Sequence, residues 1–222
     1  MGHNKRAGKD IKCMGLFNEL LNVAMRGRKI YMVQQKISVV LFAVFVALVA
    51  GRAAILRRKG VKAIVFGATD KSDFILVPFV LAIIYTVCSG AFDLPMWKPL
   101  IRPFWLTQTP GIIGIILCGA AVIGMAATLV SFGNSFRVGI DEQKADKLVT
   151  TGMFALSRNP IYVCFDVFFF GQFLIHKNII IAIAVAGFAL AIHRQVLREE
   201  KFLSSHYGLE YEEYRNKVRR YL

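Results

Sequence analysis

Between Arg158 and Glu200 the sequence carries residue types able to grip a small charged molecule. Arg158, Asn159, Pro160 and Tyr162 stand where a polar stretch gives way to an apolar one. Asp166 follows Tyr162 by four residues, which places both on one face of a helix. An acid about two turns inside an apolar block is a candidate functional group. Further on, Arg194 and Arg198 are also four apart, and Glu199-Glu200 follow directly. Arginine and asparagine donate to anionic or carbonyl groups, whereas the acids accept from amines and hydroxyls or remove a proton. Gathered at one boundary, such a set suits a charged, polar cofactor. No metal centre is expected. Cys13, Cys88, Cys118 and Cys164 lie far apart without a CxxC pair, so neither a zinc site nor a disulfide framework is indicated.

The elements that position these residues read as membrane helices. Of the 222 residues 56% are hydrophobic and 19% charged, and the mean hydropathy is +0.52. The apolar residues fall in blocks divided by basic loops, a pattern of spans rather than of one oversized core. Residues 1–36 form a basic extension, with a surface helix expected around Ile11–Met25. Three spans follow within 37–132: Ile37–Leu56, Phe74–Phe92 and Pro110–Phe132. The connector 93–109 holds Trp97 and Trp105, residues suited to a membrane interface. The third span is dense in glycine and alanine, which allows close helix approach and a central place in the bundle. In the last unit, 133–222, two shorter blocks, Ile161–Ile175 and Ile179–Ile192, read as a hairpin turned at His176-Lys177-Asn178. That turn carries no further expected role. The Phe168-Phe169-Phe170 run is expected to face lipid or line a path for a lipid tail. From His193 to Leu222 the charge density predicts an amphipathic helix, with Tyr211 and Tyr214 packing or anchoring it. The fold class is therefore all-α, a membrane bundle of about five spans with a C-terminal amphipathic helix.

The net charge of +14 would suggest nucleic acid in a soluble protein. Here the basic residues adjoin apolar blocks and no recognition motif accompanies them, so membrane lipids are the expected partners and nucleic acid is not. Residues 57–73, 133–159 and the C-terminus, counted with Arg52, hold 17 of the 28 lysines and arginines. By the positive-inside rule that side is cytoplasmic. The same arrangement sends the N-terminal tail, with eight basic residues, to the opposite side. The N-terminus shows no secretory signal and Arg219-Arg220-Tyr221-Leu222 is not a prenylation box.

From Gly133 to Leu222 the chain resembles the isoprenylcysteine carboxyl methyltransferase and phospholipid methyltransferase superfamily. The resemblance rests on Leu148-Val149 with Gly152, on Arg158-Asn159-Pro160 with Tyr162, on Glu199-Glu200, and on Gly208, Tyr211 and Tyr214 in that order. It implies a membrane enzyme that binds S-adenosylmethionine at the cytoplasmic face. Carried over by position, Leu148, Val149, Gly152, Arg158, Asn159, Tyr162, Glu199 and Glu200 would contact the cofactor. Arg194 would face a substrate carboxylate, with Arg198 as a substitute because Arg194 is about one residue out of register. Asn159 stands where many relatives have histidine; it can hydrogen-bond but not titrate, which removes a general-base role there.

The implied acceptor is lipophilic: the carboxylate of an isoprenylated cysteine, or alternatively a phospholipid amine or a small thiol. A carboxylate needs only a cation such as Arg194 to place it, whereas an amine needs a base, for which Asp166 or Glu199 is available. Plainer readings stand beside these. The glutamates suit a solvated helix face, Arg158-Asn159-Pro160 a helix start with headgroup anchoring, and Asp166 an internally paired acid. A sterol-type reductase using NADPH and a transporter are the alternatives of other classes. The sequence gives no oligomeric state.

Overall fold

The computed structural model describes residues 3–58, 74–132 and 148–222, with side chains at Glu19 and from Asn22 onward. The basic loop at 59–73 and the polar lead-in at 133–147 lie outside the described residues. Six α-helices follow in order: α1 (His3–Arg58), α2 (Leu76–Phe92), α3 (Thr109–Phe132), α4 (Pro160–His176), α5 (Ile179–Tyr207) and α6 (Leu209–Lys217). Single 3-10 turns occupy Lys98–Ile101 and Gly152–Ala155.

Among the described residues three segments are long and apolar enough to cross a bilayer: Asn22–Arg58 of α1, all of α3 and all of α5. Helices α2 and α4 are apolar but have 17 residues each. That is about 25 Å of rise against a hydrocarbon core of about 30 Å. Large apolar side chains such as Leu81, Ile123, Val130 and Leu190 project outward with more than half their surface exposed. Such a coat is a liability in water and the ordinary outer surface of a bundle in lipid. The protein is an all-α integral membrane bundle.

Several boundaries differ from the sequence expectation. No break separates the basic extension from the first span, since one 56-residue helix covers both. Helix α5 does not stop near Ile192. It runs on unbroken through the charged residues to Tyr207, where Gly208 at φ +53° turns the chain into the short α6. Alanine-rich and charged helix formers continue the same backbone, because a change of polarity does not end a helix without a breaker.

The tightest contact joins α3 to α4. A Cβ on Gly114 or on Gly171 would strike the other residue's carbonyl oxygen, so these backbones touch where both lack side chains. Gly124 likewise admits the thiol of Cys164. This is the close small-residue packing that helices use in lipid. Helix α1 closes one side through Phe45, whose ring stacks on Phe168 at 4.2 Å, while Phe169 meets Phe188 of α5 edge-on at 4.5 Å. The lipid-facing expectation for the phenylalanine run is therefore corrected: Phe168 and Phe169 are core, and Phe170 alone is exposed.

The hairpin turn is corrected too. His176 and Lys177 are both buried. Ser38 of α1 hydrogen-bonds Gln172 at 2.5 Å and His176 Nε2 at 2.9 Å, and Lys177 donates to the Thr107 carbonyl at 3.2 Å beneath the Tyr31 ring. Asn178 caps α5 by accepting from the Ile181 N–H at 3.1 Å. These bonds fasten α1, the connector and the hairpin at one end of the bundle. The candidate site lies at the other end, where α3 stops, α4 starts, and the charged half of α5 meets α6.

Candidate active site

Pro160 occupies the first turn of α4, where its missing N–H costs nothing. Asn159 stands at the N-cap, a position at which asparagine normally accepts from the helix's own N–H groups. Its side chain makes no such bond. Instead Nδ2 donates to Glu200 Oε1 at 3.1 Å and to the Arg220 carbonyl at 3.2 Å. The amide has been drawn away from capping and into a tertiary network.

Arg158 is the hub of that network. Its Nε and Nη2 donate to Glu200 Oε1 at 3.1 and 3.0 Å, and its Nη1 donates to the carbonyls of Arg215 and Val218, each at 3.0 Å. Those carbonyls belong to the end of α6, whose last turn lacks helical partners. One guanidinium thus ties the start of α4 to α5 and finishes α6. Arg220 grips the other oxygen of Glu200, with Nε and Nη2 both 2.9 Å from Oε2. Glu200 is therefore held on both oxygens between two arginines, and both the Arg158 and Glu200 side chains are more than nine-tenths buried.

Glu199, the neighbouring acid, turns elsewhere. It accepts from the Tyr162 hydroxyl at 2.6 Å and from Gln195 Nε2 at 3.1 Å. The Tyr162–Glu199 bond joins the two arms of the hairpin beside a cleft open to solvent, lined by Phe132, Phe154, Arg158, Asn159, Pro160, Ile161, Tyr162 and Glu199. The rings of Phe132 and Phe154 meet edge to face at 4.5 Å. The cleft thus has an apolar aromatic wall and a polar wall.

Four expected cofactor residues, Arg158, Asn159, Tyr162 and Glu199, line this cleft together; Leu148, Val149, Gly152 and Glu200 are not among its described lining residues. Leu148 and Val149 are half-buried just before Gly152. Gly152 has φ +63°, and a Cβ there would collide with the Ser131 hydroxyl, which itself accepts from the Met153 N–H at 3.1 Å. Only glycine permits both that backbone turn and that approach to the end of α3.

The two expected catalytic residues sit apart from the cleft lining. Asp166 is half-buried one turn below Tyr162, and its Oδ1 is buried without a hydrogen-bond partner. Arg194 is exposed on α5; five residues from Glu199, it points about 140° away around the helix. Arg198 donates to the side-chain amide oxygen Oε1 of Gln195.

Gln195, Ser157 and the tail residue Arg220 belong to the site without having been expected. Gln195 was legible in principle, one turn before Glu199. Nothing in the spacing pointed to Arg220. Below them the tyrosines of α6 are buried as expected, and Tyr214 donates to the Phe154 carbonyl at 2.7 Å. Burial lifts the Tyr211 phenol to about 12, with the nearby Glu200 carboxylate adding to the rise.

The phospholipid methyltransferase family model matches residues 109–210, from the start of α3 to the start of α6. Similar proteins include two from the rice subspecies Oryza sativa indica and japonica named "Probable protein-S-isoprenylcysteine O-methyltransferase". Each is 28% identical over 156 residues, covering 68% of this chain and 78% of the relative. The protein-S-isoprenylcysteine O-methyltransferase A of Arabidopsis thaliana is 26% identical over 68% of this chain and 76% of its own length. These matches favour methyl transfer over the reductase and transporter alternatives. The matched segment contains both arms of the hairpin and the Tyr162–Glu199 bond beside the cleft. This membrane enzyme is a methyltransferase, similar over residues 109–210 to the phospholipid methyltransferases and over 156 residues to proteins named as isoprenylcysteine O-methyltransferases.

Proposed function

We propose that the protein uses S-adenosylmethionine to methylate a lipophilic acceptor at the cytoplasmic rim of the membrane. The observation that carries the reading is the cleft beside the Tyr162–Glu199 bond at the end of the hairpin. Phe132 and Phe154 offer flat apolar surface for an adenine ring, and the acceptor oxygens of Asn159 and Glu199 suit hydroxyl and ammonium groups. S-adenosylmethionine held there would supply a sulfonium methyl group for in-line displacement by a lone pair of the acceptor, the broken carbon–sulfur bond leaving its electron pair on a neutral thioether.

The chain's own contribution is alignment and exclusion of water. Tyr162 and Glu199 hold the hairpin arms in register, the Arg158–Glu200–Arg220 cluster fixes the polar wall, and the aromatic wall shields one side of the cleft from water. No general base is required for a carboxylate, which is already ionised near neutrality. The names of the rice and Arabidopsis relatives favour that acceptor, the carboxylate of an isoprenylated cysteine.

Asp166 favours a second reading. Its buried, unpartnered oxygen one turn below Tyr162 suits an ammonium and would take the proton of an amine acceptor. Membranes containing the protein, given S-adenosylmethionine labelled in the methyl group, separate the two. With an N-acetylated S-farnesylcysteine as acceptor, label released as methanol in mild base supports the carboxyl ester. Base-stable label in phosphatidylethanolamine supports the amine instead.

A further inference from the structure

The last five residues are woven into the site, although the matched family segment ends at residue 210. The Arg219 carbonyl accepts from the Arg158 N–H at 2.9 Å. The Arg220 carbonyl accepts from Ser157 Oγ and from Asn159 Nδ2, both at 3.2 Å, while its guanidinium grips Glu200. Tyr221 pairs with His193 Nδ1 at 2.8 Å. Residues 218–222 form a strap across the loop that starts α4 and across α5.

The strap decides which end of Asn159 meets the cleft. Its two amide protons go to Glu200 Oε1 and to the Arg220 carbonyl, both acceptors that cannot be served by the amide oxygen. Among the described residues nothing donates to Asn159 Oδ1, and Asn159 lines the cleft. The cleft is therefore offered an acceptor at this position.

We propose that Arg220 is a positioning residue: by holding Glu200 and lending its own carbonyl, it fixes Asn159 with the amide oxygen turned toward the cleft and so sets the affinity for the cofactor. This inference rests on the methyltransferase reading of the cleft. Asn159 acts on the ligand; Arg220 acts through Asn159 and Glu200.

The test uses the purified full-length chain, with S-adenosylmethionine binding measured for the wild type, Arg220→Ala, Arg220→Lys, Asn159→Ala and the Arg220→Ala/Asn159→Ala double variant. Each single alanine variant should weaken binding about tenfold, the usual scale for one well-placed hydrogen bond to a charged or polar group. The double variant should bind about as weakly as Asn159→Ala alone, because both lie on one chain of cause. Arg220→Lys, which keeps the charge without the fork, should fall between. Raising kM without lowering kcat at saturating cofactor is the expected kinetic split. Losses that multiply in the double variant, or Arg220 variants that bind as the wild type does, overturn the proposal. If Arg220→Ala does not fold, the lysine variant carries the comparison. Backbone hydrogen exchange provides a readout without ligand: the Arg158 amide should exchange about tenfold faster in Arg220→Ala, and unchanged exchange overturns the strap. A wild type that binds no S-adenosylmethionine defeats the cofactor reading, while the exchange comparison still decides the strap.

Discussion

Glu199 and Glu200 are adjacent in the chain but serve different parts of the site. Glu199 accepts from Tyr162 at 2.6 Å and lines the cleft. Glu200 has both oxygens bound by arginines and is 8% exposed. Successive residues on a helix point about 100° apart. One therefore faces across the hairpin and the other faces the loop before α4 and the C-terminal strap.

Exchanging each acid for its amide should separate binding from stability. Glu200→Gln leaves Arg158 buried with a weakened partner, and loss of one member of a buried pair costs about 3–5 kcal/mol. Because Arg220 is partly solvated, the lower end is expected. Thermal unfolding should drop clearly for Glu200→Gln. Glu199→Gln should unfold near the wild-type temperature but bind S-adenosylmethionine about tenfold more weakly, as expected for one charge-assisted bond. Equal thermal losses in the two variants would contradict this division.

Gly152→Ala should be among the most damaging small substitutions. A methyl group there faces both the positive φ and the Ser131 side chain. The backbone penalty alone is about 1–3 kcal/mol. Activity should fall with a shift in KM for the cofactor, since residues 148–152 lead directly into the loop before α4. Ser131→Ala in the same chain removes the hydroxyl collision but not the backbone strain, so recovery should be partial. Full recovery would show that φ does not matter.

Alkaline pH should loosen α6 before the bundle. The Tyr211 phenol is lifted to about 12, and that of Tyr214 is raised as well, first by burial. A phenol whose folded value exceeds its unfolded value near 10 favours the fold while it is protonated. Its contribution is complete below about pH 10 and fades as pH rises from 10 toward 12. Ultraviolet titration should find Tyr211 and Tyr214 ionising well above pH 10, together with loss of α6. Tyr214→Phe removes a bond to Phe154 and should cost about 1 kcal/mol. Tyr211→Phe removes a hydroxyl that lacks a hydrogen-bond partner and should be near neutral or stabilising.

Gly171→Val should separate α3 from α4. A Cβ at Gly171 would reach the Gly114 carbonyl at 2.8 Å and the Cys118 sulfur at 2.7 Å, both on rigid neighbours. Overpacking of a close contact costs about 1–3 kcal/mol or more. Lower yield and faster unfolding in detergent are expected, while the same change at Gly119, where a Cβ meets nothing within 4 Å, should be tolerated.

The spans were legible because hydropathy and length are local properties. The close approach of α3 to α4 was legible in the glycines of α3. The cleft was legible in part, since Arg158, Asn159, Tyr162 and Glu199 do converge. What local pattern could not supply was direction around a helix and reach from distant sequence. Arg194 and Glu199 share a segment yet point apart. Phe168 and Phe169 looked like lipid-facing bulk because nothing in their own sequence reveals Phe45 stacked above them. Lys177 looked like a simple turn residue, but its ammonium reaches Thr107, 70 residues away in sequence. Arg220 was invisible for the same reason, because its partners Glu200 and Asn159 meet it only after α6 has reversed the chain.

S-adenosylmethionine is proposed to bind in the cleft between Asn159 and Glu199. Equilibrium binding of S-adenosylmethionine and, in parallel, of NADPH to the purified protein tests it most directly. Saturable binding of S-adenosylmethionine, weakened in both Asn159→Ala and Glu199→Ala, is expected, with no comparable binding of NADPH. Binding of NADPH in its place, or S-adenosylmethionine binding indifferent to both substitutions, would contradict it.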